Sequence, residues 1–189
     1  NIPLIGFSGS PFTVACYLIE KGSSKDFSNV LSVIKNNPKG FQTLLDSLTQ
    51  ATIFHLKKQI LAGVNAIQIF DTWGSILTGK NYLDFTYSSL KTIVDALSSY
   101  NIPILLYSKN STQLIHHLAK LNINVLSVDW NSSLNQLKTQ YPNLSLQGNL
   151  NPHTLLDNKE LSLQQTRNIC KTMSQNPGFI FNLGHGITP

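Results

Sequence analysis

The amino-acid sequence predicts an α/β protein, a (β/α)8 TIM barrel that is incomplete here, with about six of eight β/α units in 189 residues. Three observations lead there. Short apolar runs alternate with stretches of helical spacing along the whole chain. Most runs are continuous rather than alternating in polarity, which suits strands covered on both faces in a parallel sheet. Each run ends in small or hydrogen-bonding residues, and a barrel gathers its site from many strand ends at once.

The expected strands are 4–7, 66–70, 103–107, 124–128, 144–147 and 179–183. Between them, Phe41, Leu44, Leu45, Leu48, Thr52 and Leu56 recur at three and four residues and predict a helix running to Gly63. Leu90, Ile93, Val94 and Leu97 predict another, and Leu114, Ile115, Leu118 and Leu121 a third, with Ser111 and Thr112 as candidate caps. Glu160 to Met173 reads as the last helix. Pro38, Pro103, Pro142, Pro152 and Pro177 stand at the joints. Six strands suffice for an open doubly wound sheet but make only part of a barrel, which typically needs about 250 residues. The count alone therefore slightly favours the open sheet. The strand ends favour the barrel: Ser8-Gly9-Ser10, Asp71-Thr72-Trp73, Ser108-Lys109, Asp129-Trp130, Gly148-Asn149 and Gly184-His185-Gly186. An open sheet concentrates its site at one switch point, so polar groups after every strand fit it poorly. No linker divides the chain, and 1–189 reads as a single partial barrel domain.

Composition narrows the function. The charged fraction is 12%, the hydrophobic fraction 41%, and there is no apolar run long enough to span a membrane. The N-terminal residues lack the pattern of a signal peptide. Cys16 and Cys170 have no metal-ligand spacing and read as two reduced, buried thiols, which fits a cytoplasmic protein. The net charge of +5 is spread out, with Arg167 the sole arginine, so no nucleic-acid stripe is visible. His116 and His117 are adjacent, point in different directions on a helix, and read as surface residues rather than metal ligands. The chain starts with Asn and stops at Thr188-Pro189 after a glycine-rich turn, and reads as a fragment.

Six motifs, in order, resemble the uroporphyrinogen decarboxylase family. They are PLIGFSGSPFTVACYLIE at 3–20, GSSKDF at 22–27, AGVNAIQIFDTWG at 62–74, VLSVDW at 125–130, LQGNLNP at 146–152 and FNLGHGI at 181–187. The resemblance implies a (β/α)8 barrel, usually a homodimer, that decarboxylates the four acetate side chains of uroporphyrinogen III to give coproporphyrinogen III in heme biosynthesis. It implies neither metal nor organic cofactor, and a tetrapyrrole as the binding partner. It places Phe7, Tyr17, Thr72 and His185 in contact with substrate. The family's catalytic aspartate, in an FSD-type motif, and its two arginines, in an RQAGRY-type segment, have no counterpart in 1–189. The resemblance therefore implies a piece lacking the N-terminal part and the C-terminal helix, inactive alone. Smaller departures are Asn151, where the family usually has Asp, and Asn110-Ser111, where many members have Gly.

The chemistry agrees with that division. Losing CO2 from an acetate arm requires the adjacent pyrrole carbon to be protonated, so that the ring accepts the electrons. A fixed carboxylate would stabilise the resulting cation, and arginine forks would hold the remaining carboxylates. One arginine, expected on the outer surface of the last helix, cannot clamp several carboxylates. What 1–189 offers is neutral donors at Tyr17 and Thr72, a titratable donor at His185, and close backbone approach at Gly184 and Gly186. Asp71 and Asp129 read as structural hydrogen-bonding groups. One alternative is a related barrel methyltransferase, for which a strand-end His-x-Cys is expected and YSKNS stands at 107–111. Another is a non-catalytic module that binds porphyrinogen weakly.

Overall fold

The computed structural model describes residues 2–22 and 24–187, apart from the side chains of Ser111 and Asp157. The side chain of Ser111, one of the two expected caps, and the Thr188-Pro189 end thus lie outside what is described. The chain forms two compact units, Asn1–Ile104 and Leu105–Pro189.

The first unit begins with β1 (Ile5–Gly9) and α1 (Pro11–Glu20). Ser10 starts α1 because its hydroxyl accepts from the Thr13 amide at 3.1 Å, while Pro11 supplies a helical φ at the first position. Then come α2 (Ser28–Asn36), α3 (Pro38–Leu61) and β2 (Ala66–Asp71). A 3-10 turn at Gly74–Ile76 leads to α4 (Gly79–Asn81), a π-helical stretch at Tyr82–Tyr87, and α5 (Ser88–Leu97). The strands β1 and β2 are parallel, with Gly6 opposite Ile67 and Phe7 opposite Gln68. The side of β1 and β2 that carries Gly6 and Ile67 faces the helices. A Cβ at Gly6 would stand 2.3 Å from the Gln59 side chain of α3 and 3.0 Å from Ile67. Phe12, Phe41, Leu45, Leu56, Ile67, Ile69, Leu90 and Ile93 are buried there. Their burial is the main stabilising term of this unit.

The second unit holds β3 (Ile104–Ser108, from Leu105 on), α6 (Ile115–Leu118), β4 (Val125–Val128) and α7 (Leu134–Gln140). It continues with β5 (Ser145–Leu150), α8 (Thr154–Asp157), α9 (Lys159–Met173) and β6 (Ile180–Leu183). Here β3 pairs with β4, β4 with β5 and β5 with β6, all parallel. Leu106, Leu118, Leu126, Val128 and Leu146 are buried.

In each unit neighbouring strands follow chain order, with helices in the crossovers and no reversal. That is the arrangement of successive β/α units of a barrel, not of a doubly wound sheet with a switch point. The fold class is the α/β, incomplete (β/α)8 type that the strand ends favoured.

Three local expectations are corrected. The helix expected at 114–121 is only the four-residue α6, entered from a 3-10 turn at Ser111–Gln113, and its first position carries no side-chain cap. Thr112 instead shares a 3.4 Å hydroxyl contact with Ser132. His116 and His117 do not point apart: although adjacent helix positions differ by about 100°, the two imidazoles lean together, with ring centroids 3.8 Å apart. Finally, Cys16 is buried but Cys170 is exposed, on the outer side of α9.

Candidate active site

The first unit carries three of the four expected substrate-binding residues, on β1, on α1 and just beyond β2. Phe7 projects from β1 on the side away from Gly6 and the helices, 62% exposed, and its ring meets Phe70 edge-on at 6.0 Å. The Gln59 side-chain amide of α3 engages its backbone on both sides, accepting from the Phe7 N–H at 2.7 Å and donating to its carbonyl at 2.9 Å. Tyr17 lies on α1, 43% exposed, with its ring 6.5 Å from that of Trp73. Thr72 is the first residue beyond β2, half-buried, and its hydroxyl makes no hydrogen bond among the described residues. The segment 70–73 thus touches Phe7 at one end and Tyr17 at the other, with Thr72 between.

Behind this surface lies Asp71, fully buried. Its Oδ1 accepts from the Ser10 hydroxyl at 2.6 Å. Burial pushes its pKa up to about 6, against the opposing pull of the Ser10 and Thr13 hydroxyls. The expectation that it is a structural hydrogen-bonding group fits this geometry.

His185 belongs to the second unit, in the turn after β6. Its ring stands edge-on to Tyr107 at 6.0 Å and to Trp130 at 6.4 Å. Trp130 in turn meets the ring of His153 at 5.8 Å. Gly184 places the turn. A Cβ there would sit 2.5 Å from the Trp130 nitrogen and 3.0 Å from the Asp129 carbonyl carbon, both backbone atoms that cannot yield cheaply. Its N–H donates to the Leu150 carbonyl at 2.8 Å, and its carbonyl accepts from the Tyr107 hydroxyl at 3.1 Å. Burial, with the nearby Asp129 charge, raises the Tyr107 pKa and keeps it a neutral donor.

Asp129 fixes the neighbouring loops. Its Oδ2 accepts from the Asn110 N–H at 2.7 Å, and its Oδ1 from the Asn131 N–H and the Ser132 hydroxyl, each at 3.2 Å. The Asn149 amide ties the same turn down, donating to the Asp129 and Ser132 carbonyls at 2.8 and 2.7 Å. Both departures from the family pattern have a physical account. Asn110 adopts a left-handed φ of 53°, which glycine takes freely and asparagine tolerates. Asn151 keeps an acceptor oxygen where aspartate would have one, taking the His153 N–H at 3.0 Å.

Tyr107, Trp130 and His153 were not singled out as site residues in the sequence. Tyr107 closes an apolar run and Trp130 follows Asp129, so strand-end position was their only signal. His153 had none, because its place beside Trp130 depends on the turn after β5. Among the described residues no group of three or more His, Cys, Asp or Glu could hold a metal ion. Nor, among the described residues, is any helix long and apolar enough to cross a membrane. Arg167 is exposed on α9, as expected of the outer surface.

Successive parallel β/α units in chain order, with Thr72 and His185 just beyond their strands, make this an α/β protein of the barrel type, a fold whose sites lie at the carboxyl ends of the strands. The family model described as uroporphyrinogen decarboxylase (URO-D) matches residues 1–189. The chain belongs to the uroporphyrinogen decarboxylase family. It is 41% identical over 192 residues to a uroporphyrinogen decarboxylase of Legionella pneumophila (strain Paris), covering 100% of this chain and 54% of that protein. The one from Thermodesulfovibrio yellowstonii is 41% identical over 187 residues, 99% of this chain and 55% of that protein. The chain therefore spans about half the length of the curated relatives it matches. Among solved structures, a methyltransferase from Methanosarcina mazei superposes with a TM-score of 0.79 at 21% identity, over 100% of this chain and 55% of that one. That likeness is one of fold.

Proposed function

We propose that this chain is the larger part of a barrel that removes carboxyl groups from the acetate side chains of uroporphyrinogen III, giving coproporphyrinogen III in the cytoplasm. The observation that carries the reading is the family match along the whole of 1–189, including every strand end that bears a candidate residue. Phe7 supplies an apolar wall for the macrocycle. The Tyr17 and Thr72 hydroxyls donate to substrate carboxylates, and His185 donates from a turn fixed by Gly184 and Tyr107. The protonated pyrrole carbon makes the ring an electron sink. The C–CO2 bond then breaks, its electrons enter the ring, and protonation of the exocyclic carbon with loss of the ring proton leaves a methyl group. The carboxylate that stabilises this cation and the arginines that clamp the remaining acid groups belong to sequence outside 1–189, and the enzyme works as a homodimer.

The test is incubation of the full-length protein and of residues 1–189 with uroporphyrinogen III under reducing, anaerobic conditions. The full-length protein should yield coproporphyrinogen and the 1–189 chain none. In the full-length protein, His185→Ala should slow turnover or change which partly decarboxylated intermediates accumulate. Unaltered kinetics and an unaltered intermediate pattern would remove His185 from the site.

A further inference from the structure

We infer that Asp71 is a positioning residue of this site: through Ser10 and Thr13 it locks α1, and with it Tyr17, against the Thr72–Trp73 turn. The inference rests on the proposed reading of Tyr17 and Thr72 as substrate-binding residues. A short chain of bonds carries it. The Ser10 hydroxyl donates to Asp71 at 2.6 Å and can then only accept from the Thr13 N–H, at 3.1 Å, so the carboxylate fixes the direction of the α1 cap. Thr13 passes the constraint back to β2, since its hydroxyl oxygen accepts from the Trp73 N–H at 3.2 Å. The Ser10 N–H donates to the Phe70 carbonyl at 2.8 Å and closes the ring of contacts. The start of α1 and the segment 70–73 are thereby joined at three points. Tyr17 lies two turns along the same helix and rests on the Trp73 ring, which also packs on Phe27 at 4.8 Å.

The turn is built to admit the carboxylate. A Cβ at Gly74 would stand 2.0 Å from Asp71 Oδ2, so only glycine leaves that space open. A buried acid is costly to keep unless it is hydrogen-bonded, and an apolar residue would fill the core as well. The use of an acid here is accounted for by its acceptor oxygen on Ser10. Asp71 touches no reacting atom, and its effect on turnover runs through Tyr17 and Thr72.

The test uses the full-length protein in two arms. In the first, amide hydrogen exchange is followed at Thr13 and Trp73, with the buried amides of α3 as reference. Asp71→Ala should quicken exchange at both amides by about 10-fold or more relative to α3, and Ser10→Ala should do the same. Asp71→Asn, which keeps an acceptor for Ser10, should stay within about 3-fold of wild type. Unchanged exchange at Thr13 and Trp73 in both Asp71→Ala and Ser10→Ala overturns the inference. In the second arm, kcat/KM is measured for Asp71→Ala, Tyr17→Phe and the double variant. Residues acting through one another give a combined loss smaller than the product of the single losses. Losses that simply multiply overturn the inference. If Tyr17→Phe and Thr72→Ala each leave turnover at the wild-type level, the substrate-binding reading fails instead. The exchange arm then decides the positioning role by itself.

Discussion

The Tyr107 hydroxyl donates to the Gly184 carbonyl across 3.1 Å, so β3 directly holds the turn that presents His185. The two residues are 77 positions apart, and both are buried. Tyr107→Phe keeps the ring contact with His185 and removes this bond. It should lower stability by about 1 kcal/mol, the usual net worth of one buried hydrogen bond. In the full-length protein it should also lower kcat/KM, because the imidazole loses part of its support. Urea denaturation and steady-state kinetics check the two effects, and wild-type values in both would show that the bond fixes nothing.

Gly184 should tolerate no side chain. An added methyl would meet the Trp130 backbone nitrogen at 2.5 Å, and backbone cannot rotate out of the way. Gly184→Ala should cost on the order of 1–3 kcal/mol, or more if the turn cannot shift. Gly186→Ala is the internal control. Nothing stands within 4 Å of the position its methyl would take, and its effect should stay within about 0.5 kcal/mol. Equal denaturation midpoints for the two variants would contradict this packing.

Asp71 makes stability depend on pH. Its pKa is raised from 3.8 to about 6 because burial disfavours the carboxylate. The folded protein therefore holds this proton more tightly than the unfolded chain does. The stabilisation is fully present below about pH 4 and is lost as pH rises through about 6, by on the order of 2–3 kcal/mol. Asp71→Asn cannot titrate at this position. Its stability should therefore gain on wild type as pH increases over that window. Denaturation midpoints of the two proteins at several pH values between 4 and 7 test this, and a constant difference would sink it.

The two thiols should differ sharply in reactivity. Burial, reinforced by the Asp71 and Glu20 charges, pushes Cys16 up to about 12, while Cys170 stands exposed on α9. Iodoacetamide at neutral pH should label Cys170 in the native protein and reach Cys16 only after unfolding. Mass spectrometry of the two cysteine peptides reads this directly, and native labelling of Cys16 would contradict the packing around α1.

Helices with long, regular apolar spacing were legible in the sequence. α3 falls close to its expected bounds because three-and-four spacing over many residues has few alternatives, and α9 also lies close to its expected 160–173. The helix α1 was not, although Ser10-Pro11 is a proper start signal. It spans only ten residues, too few for its apolar positions to establish a helical period. The helix expected at 114–121 shrank to four residues because Leu121 is buried after the chain has left the helix. Burial alone set that leucine's character, and periodicity misread it. Cys170 failed for the opposite reason. A cysteine's apolar chemistry suggests an interior place, yet its position on the outward side of α9 left it in water.

What the sequence by itself determined is the alternation of strand and helix, the parallel type of the strands and the family, and it nominated Phe7, Tyr17, Thr72 and His185 as candidate residues. These follow from local patterns, since a side-chain period or a strand-end motif is written within about ten residues of chain. Only the tertiary structure decided what surrounds each of the four. The bond from Ser10 to Asp71 joins residues 61 apart, and that from Tyr107 to Gly184 residues 77 apart. Such contacts depend on which strands lie side by side and in which register, and parallel strands meet only after the chain has gone out through a helix and returned.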